Sequence, residues 1–233
     1  YGLRTILSGT LLPSRPVGSA FPGLLRSLVA AGHEVGPHGW DHVGWHDRAA
    51  RMDDRETREH LARAYEAVET ALGAPPVGSA APGWQCTPAS LEVQDDLGLL
   101  YHSDTRGTEP FLPAAGERTF RCLEIPTTLP TLDEVLGTEE VERDGPVAFF
   151  ERRLEEGRLN VLTVHTENEG MAHAAFLEEL IGLLKRRGAT FVLLRDVAGR
   201  QGARGAPPLP RAEIVWGELP GRAGLVACQG GSR

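Results

Sequence analysis

Short apolar segments alternate with helical ones along nearly the whole chain, and no other feature limits the possible folds so strongly. Strand candidates stand at 33–36, 77–81, 99–104, 123–128, 159–165 and 190–194. The clearest helix between them starts at Asp53 or Asp54. Glu56 follows Asp53 by three residues, the spacing of a capping box. Leu61, Tyr65, Val68 and Leu72 then share one face, and Gly73 closes it. Thr87-Pro88 opens another helix, with Thr as cap and Pro in the first turn, and Gly98 ends it. Further helices are expected over 22–31, 146–156 and 176–187, stopped by Gly32, Gly157 and Gly188.

Strands separated by helices predict βα units and a mainly parallel sheet, in an open doubly wound form or as a barrel. Either form gathers chemistry at the C-terminal ends of the strands. Polar clusters at 38–47, 82–85, 104–106 and 165–169 each directly follow a strand candidate, as that rule requires. The Gly/Pro-rich stretch 199–211 reads as a linker. It divides an α/β body over 1–198 from a tail over 212–233 that is expected to pack on the body.

Composition excludes several classes. The formal charge of −8 argues against a nucleic-acid binder, whose footprint would be basic. No apolar run approaches the roughly 18 residues of a spanning helix. Cys86, Cys122 and Cys228 show no C-x-x-C spacing, which suits a reducing compartment and gives no disulfide framework. There is no G-x-S-x-G and no Gly-rich phosphate loop with a lysine.

Four groups of residues could carry chemistry. His38 and His42 are four apart, so their imidazoles fall on one side of a turn and can share a metal ion. The same spacing joins His42 to His46, and with 8 His in the chain spacing alone is a weak signal, against the plain alternative of loop histidines. His165 ends an apolar strand, where it is either a core histidine or a proton-transfer group oriented by the nearby Glu167 and Glu169. The Pro82-Gly-Trp84 turn offers backbone N–H groups and an exposed-looking apolar wall, or is an ordinary turn. Asp104 and Arg106 form either a surface ion pair, worth little, or part of a site.

Taken together, these stretches resemble the polysaccharide deacetylase superfamily, also called the NodB-homology deacetylases. The resemblance is carried by 32–42 (GHEVGPHGWDH), 79–84 (SAAPGW), 103–107 (SDTRG), 125–137 (IPTTLPTLDEVLG), the strand ending in His165, and the tail with Cys228-Gln229. It covers essentially the whole chain. Within the superfamily the pattern is most similar to deformylases of 4-deoxy-4-formamido-L-arabinose carried on undecaprenyl phosphate. The resemblance implies a distorted (β/α) barrel and a divalent metal, zinc by family habit, held by His38 and His42 with one Asp. It also implies an Asp general base and His165 as general acid. His46 matches no ligand of the family.

The substrate implied is a sugar on undecaprenyl phosphate, in the aminoarabinose modification of lipid A. This suggests a peripheral enzyme at the cytoplasmic side of the bacterial inner membrane. Arg106 is the candidate for the substrate phosphate, and Pro82 and Trp84 for substrate contact, with a backbone N–H near Trp84 for the oxyanion. Asp104 is assigned to support of His165. The family's first motif, a strand ending in an Asp pair, has no counterpart in this sequence, since 1–20 contains no Asp. The chain, which opens on Tyr1, is therefore expected to be the C-terminal portion of such an enzyme, lacking the first strand. Two other readings stand beside this one: a deacetylase of N-acetyl sugars, and an inactive sugar- or lipid-binding module.

Overall fold

Capping chemistry places the helices. The chain, seen in a computed structural model, is described at residues 7, 11–12, 17–201, 205 and 208–232. The first helices are α1 (Val17–Ala20), α2 (Pro22–Ala30) and α3 (His42–Arg48). Then comes α4 (Asp54–Leu72), whose Asp53 and Glu56 close the expected capping box and whose Gly73 turns left-handed at φ 78°. In α5 (Pro88–Leu97) Thr87 caps, and Gly98 at φ 67° ends the helix. The remaining helices are α6 (Leu132–Val135), α7 (Glu139–Asp144), α8 (Pro146–Glu151), α9 (Ala174–Arg186) and α10 (Leu194–Gln201). The helix expected over 146–156 thus ends five residues early. Residues 202–204, 206 and 207 of the expected linker lie outside the described residues, and 199–201 belong to α10.

The strands are β1 (Gly78–Ser79), β2 (Tyr101–His102), β3 (Leu112–Ala115), β4 (Arg118–Thr119), β5 (Leu123–Glu124), β6 (Arg211–Glu218) and β7 (Leu225–Ser232). β1, β2 and β5 pair in parallel, in that order. A second sheet runs β4-β3-β6-β7, with β3 and β6 parallel and the other pairs antiparallel. The α/β class with parallel strands therefore holds. Among the described residues the paired strands form these two sheets and not a closed ring.

The segments 33–36, 159–165 and 190–193 form no paired strands, and Leu194 already opens α10. For 159–165 the reason is local. The Val161 carbonyl accepts from both Thr128 N (3.0 Å) and Leu129 N (3.1 Å). The Val161 N–H then donates to the Thr128 hydroxyl at 2.8 Å, so a side chain takes the place of the ladder carbonyl. The segment still lies beside the chain that leaves β5, where the Thr163 and Thr127 hydroxyls meet at 2.8 Å.

Buried side chains fill the spaces on either side of the parallel strands. Leu132, Val135, Phe149, Phe150, Phe176 and Leu180 lock α6, α8 and α9 together. Tyr101, Leu123, Ile125 and Ala198 pack β2 and β5 against α10. The tail is a hairpin whose first strand joins β3, with Ala227 seated among Cys86, Leu91 and Phe120.

Candidate active site

The loop 38–41 is shaped by its glycine. Gly39 sits at φ 73°, and a Cβ there would press on Pro82 and on the His60 ring. The loop then runs into α3, where Asp41 Oδ1 accepts from Gly44 N at 3.0 Å. Asp41 is therefore a helix cap. His38 and His42 leave the two ends of this turn with ring centroids 5.1 Å apart. His38 Nδ1–H donates to the Ala80 carbonyl at 2.9 Å, which leaves Nε2 as the ring's lone-pair nitrogen. Side-chain surface of His38 reaches solvent, yet protein atoms crowd the ring, and this loss of water lowers its pKa. The same effect, followed by repulsion from His38, lowers that of His42. Both rings are thus held neutral, the form that binds metal.

These features fit two ligands of a divalent ion: two neutral imidazoles close together, one with its tautomer set by a carbonyl. Among the described residues no third His, Cys, Asp or Glu completes a set.

His60 carries no signal of its own in the sequence. It lies on α4, and its Nε2 accepts from Trp40 N (2.9 Å) and Asp41 N (3.4 Å), while its ring stacks on buried Trp45 at 4.9 Å. It thereby supports the turn between His38 and His42, and burial lowers its pKa and keeps the accepting form. A His60→Phe protein keeps the stacking and orphans two backbone donors. We expect its zinc affinity to fall about 10- to 100-fold with unchanged circular dichroism, as for other residues that orient ligands. Equal affinity in a calorimetric titration would refute this.

On the facing side, His165 N–H donates to Glu169 Oε2 at 2.8 Å, and its carbonyl accepts from the amides of Asn168 and Glu169. Its Nδ1–H donates to Asp133 Oδ1 at 3.1 Å. That bond holds the Asp133 carboxyl at a pKa of about 2 and raises the pKa of His165. The charges of His165 and Glu167 act on both His38 and His42, and Glu167 also acts on His165, so the three rings lie within electrostatic reach of one another.

The carboxylate on His165 is Asp133, not the Asp104 expected from sequence. Asp104 is fully buried beneath the site. Its Oδ2 accepts from Gln94 at 2.6 Å, and its charge acts on His38. Beside it lies an ion pair hidden from solvent. His102 Nδ1 contacts Glu124 Oε2, and Glu124 also accepts from the amides of Asp104 and Thr105 and from the Thr105 hydroxyl at 2.8 Å. Burial alone would lower the pKa of His102, but the Glu124 carboxylate, with Asp104 nearby, outweighs it and raises the value far above normal.

Trp84 and Arg106 also differ from expectation. Trp84 is buried rather than exposed, at φ 52°, the one non-glycine in the left-handed region among the described residues. Its indole N–H donates to Thr127 Oγ1 at 3.1 Å, and its backbone N–H is used within the turn, towards Ala81 O. Arg106 covers one part of the ring, while its Nη1 binds the Glu134 carboxylate at 2.8 Å and its Nη2 binds Leu129 O at 2.9 Å. With 11% of its side chain exposed, Arg106 is committed internally. Pro82 is buried against Gly39. His46 is exposed and paired with Asp47.

A polysaccharide deacetylase model matches residues 10–102. Over 229 residues the chain is 33% identical to a protein of Shewanella sediminis named a probable 4-deoxy-4-formamido-L-arabinose-phosphoundecaprenol deformylase, covering 98% of this chain and 72% of that one. The chain belongs to the polysaccharide deacetylase family. It is accordingly a hydrolase of amide bonds, of the deformylase and deacetylase kind. Solved structures agree on the fold. A Mycobacterium smegmatis protein assigned to the polysaccharide deacetylases superposes with a TM-score of 0.63 at 24% identity, over 92% of this chain and 79% of that one. A family 4 acetyl xylan esterase from Clostridium thermocellum, solved with a cobalt ion, gives 0.51 at 20% identity over 79% and 73%.

Proposed function

We propose that this chain removes the N-formyl group from a 4-formamido-arabinose carried on undecaprenyl phosphate. Water is consumed, and formate and the free amino sugar are released. The observation that carries the reading is the meeting of a neutral imidazole pair, His38 and His42, with a carboxylate-bound His165. The name of the Shewanella relative supports the acyl group and the lipid-linked sugar.

His38 and His42 would hold a divalent metal, zinc being the first candidate. Such an ion supplies Lewis acidity towards the carbonyl and an acidified water. His165 protonates the departing nitrogen, because an amine leaves poorly until protonated. Asp133 keeps Nδ1 as the bonded nitrogen and so leaves Nε2 to deliver the proton. The charge of Asp133 also keeps the ring protonated to higher pH than an ordinary histidine. Asp104 acts from below on His38 and not on His165. Trp84 and Pro82 shape the floor of the site, and Arg106 supports that floor and does not bind phosphate.

No helix among the described residues is long and apolar enough to cross a membrane. A lipid-linked substrate then requires contact with a membrane surface from outside it, which we place on the cytoplasmic side. The chain's charge of −8 would not favour an anionic leaflet, so charge does not account for attachment.

Parallel assays with formylated and acetylated forms of the lipid-linked sugar test the reading. Formate release from the first, with little acetate from the second, is the expected result. Preferred release of acetate would make the chain a deacetylase of N-acetyl sugars, and release of neither would favour an inactive binding module.

A further inference from the structure

The carboxylate that orients His165 stands on a four-residue helix, α6, too short to hold its own position. Leu132 and Val135 anchor it in the core, and the neighbour of Asp133 adds a second, polar anchor. Glu134 is nearly buried, and its carboxylate accepts from Thr131 N at 3.0 Å, closing the helix's capping box. The same carboxylate meets two guanidinium groups from distant parts of the chain. Arg106 Nη1 reaches both oxygens, at 2.8 and 3.0 Å, and Arg222 Nη1 stands 3.7 Å away.

Arg222 belongs to the turn between β6 and β7, the hairpin of the tail. Gly221, next to it, has φ 78°, and a Cβ there would collide with the Glu134 carbonyl. The turn therefore rests on the backbone of α6. Arg222 also stacks over Trp84, 4.4 Å from the ring centroid, with Arg106 at 4.8 Å. Trp84 in turn bonds Thr127, whose hydroxyl meets that of Thr163 at 2.8 Å, two residues before His165. One guanidinium thus touches α6, which carries Asp133, and is linked to the segment of His165 through Trp84, Thr127 and Thr163.

We propose that Arg222 is a positioning residue, which holds α6 through Glu134 and so keeps Asp133 on Nδ1 of His165. The tail hairpin, far along the chain from both residues, is then part of the proton-transfer apparatus. Its catalytic consequence rests on His165 as the proton donor proposed above, whereas its geometry can be tested without turnover.

The variant is Arg222→Met, which keeps the stem over Trp84 and removes the charge. Long-range 1H–15N correlation of the histidine rings reads which nitrogen of His165 carries the proton. In the unaltered protein Nδ1 should be the protonated nitrogen of the neutral ring. In Arg222→Met the two nitrogens should move towards averaged shifts, while the backbone amides of β6 and β7 keep their positions. Arg222→Lys should recover much of the original pattern. In active protein, kcat should fall about 10- to 100-fold with little change in KM, as for a small misplacement of a reacting group. In an Asp133→Ala background, Arg222→Met should cost nothing further, since the contact it holds is already gone. Unchanged His165 shifts in a folded Arg222→Met protein would overturn the proposal, as would equal losses in the two backgrounds. If the shifts change as expected but His165→Ala keeps full turnover, the positioning stands and the role of His165 as proton donor falls.

Discussion

Glu124→Ala should destabilise the protein by about 3–5 kcal/mol, the usual cost of stripping one partner from a buried ion pair. Nothing of Glu124 or of His102 reaches solvent. Removing the carboxylate leaves an imidazolium without its counter-charge. It also orphans the amides of Asp104 and Thr105 and the Thr105 hydroxyl. Since whole domains are stable by only about 5–15 kcal/mol, such a loss is a large share. Urea denaturation measures it directly. A midpoint equal to that of the unaltered protein would show that the pair contributes nothing.

The same pair sets a pH dependence whose sign is fixed. The pKa of His102 is raised by folding, so its contribution is full below the unfolded value and is lost as pH rises through the folded one. His38, His42 and His60 have the opposite sign. Their folded values are lowered, so they weaken the fold as pH drops below the ordinary histidine range and the unfolded chain takes up protons. Stability should therefore decline in acid and again in alkali, and Glu124→Ala should remove much of the alkaline decline.

The second large effect is on turnover. His165→Ala should lower kcat about 100- to 10,000-fold, the usual worth of a positioned general acid, with bound metal unchanged. Asp133→Asn separates charge from orientation. The asparagine oxygen can still accept from Nδ1–H, but the negative charge that holds the proton on the ring is gone. Activity of a general acid falls as pH rises through its pKa. Folding raises that pKa through Asp133, so the alkaline limb of kcat should move to lower pH in Asp133→Asn. A limb that stays in place would show that the Asp133 charge does not tune His165.

Much of this architecture is legible in local chemistry. The caps at Asp53 and Thr87 and the left-handed glycines Gly73 and Gly98 lie where spacing predicts them, because capping needs only neighbours within one turn. His38, His42 and His165 are singled out in the sequence by their place at or after the ends of strand candidates, although 33–36 and 159–165 do not pair as strands. Partners distant in sequence are not legible. Asp133 and His165 are 32 positions apart, and only the packing of α6 brings them together. Trp84 reads as exposed because its turn is polar, whereas two arginines cover it. His60 reads as one more helical residue, since its role depends on the turn packed against it. Glu124 does leave a trace, a carboxylate within the apolar strand candidate 123–128, where a charge needs a buried partner. The hairpin of β6 and β7 reads only as a tail, because its pairing with β3 reaches back about a hundred residues.

The division of labour among the three histidines is central to the proposed chemistry, and zinc titration calorimetry on three proteins tests it most directly. The unaltered chain should bind one zinc ion. The His38→Ala/His42→Ala protein should lose that binding, and His165→Ala should keep it with similar affinity. Zinc binding that survives loss of His38 and His42, or that disappears with His165, would contradict that division.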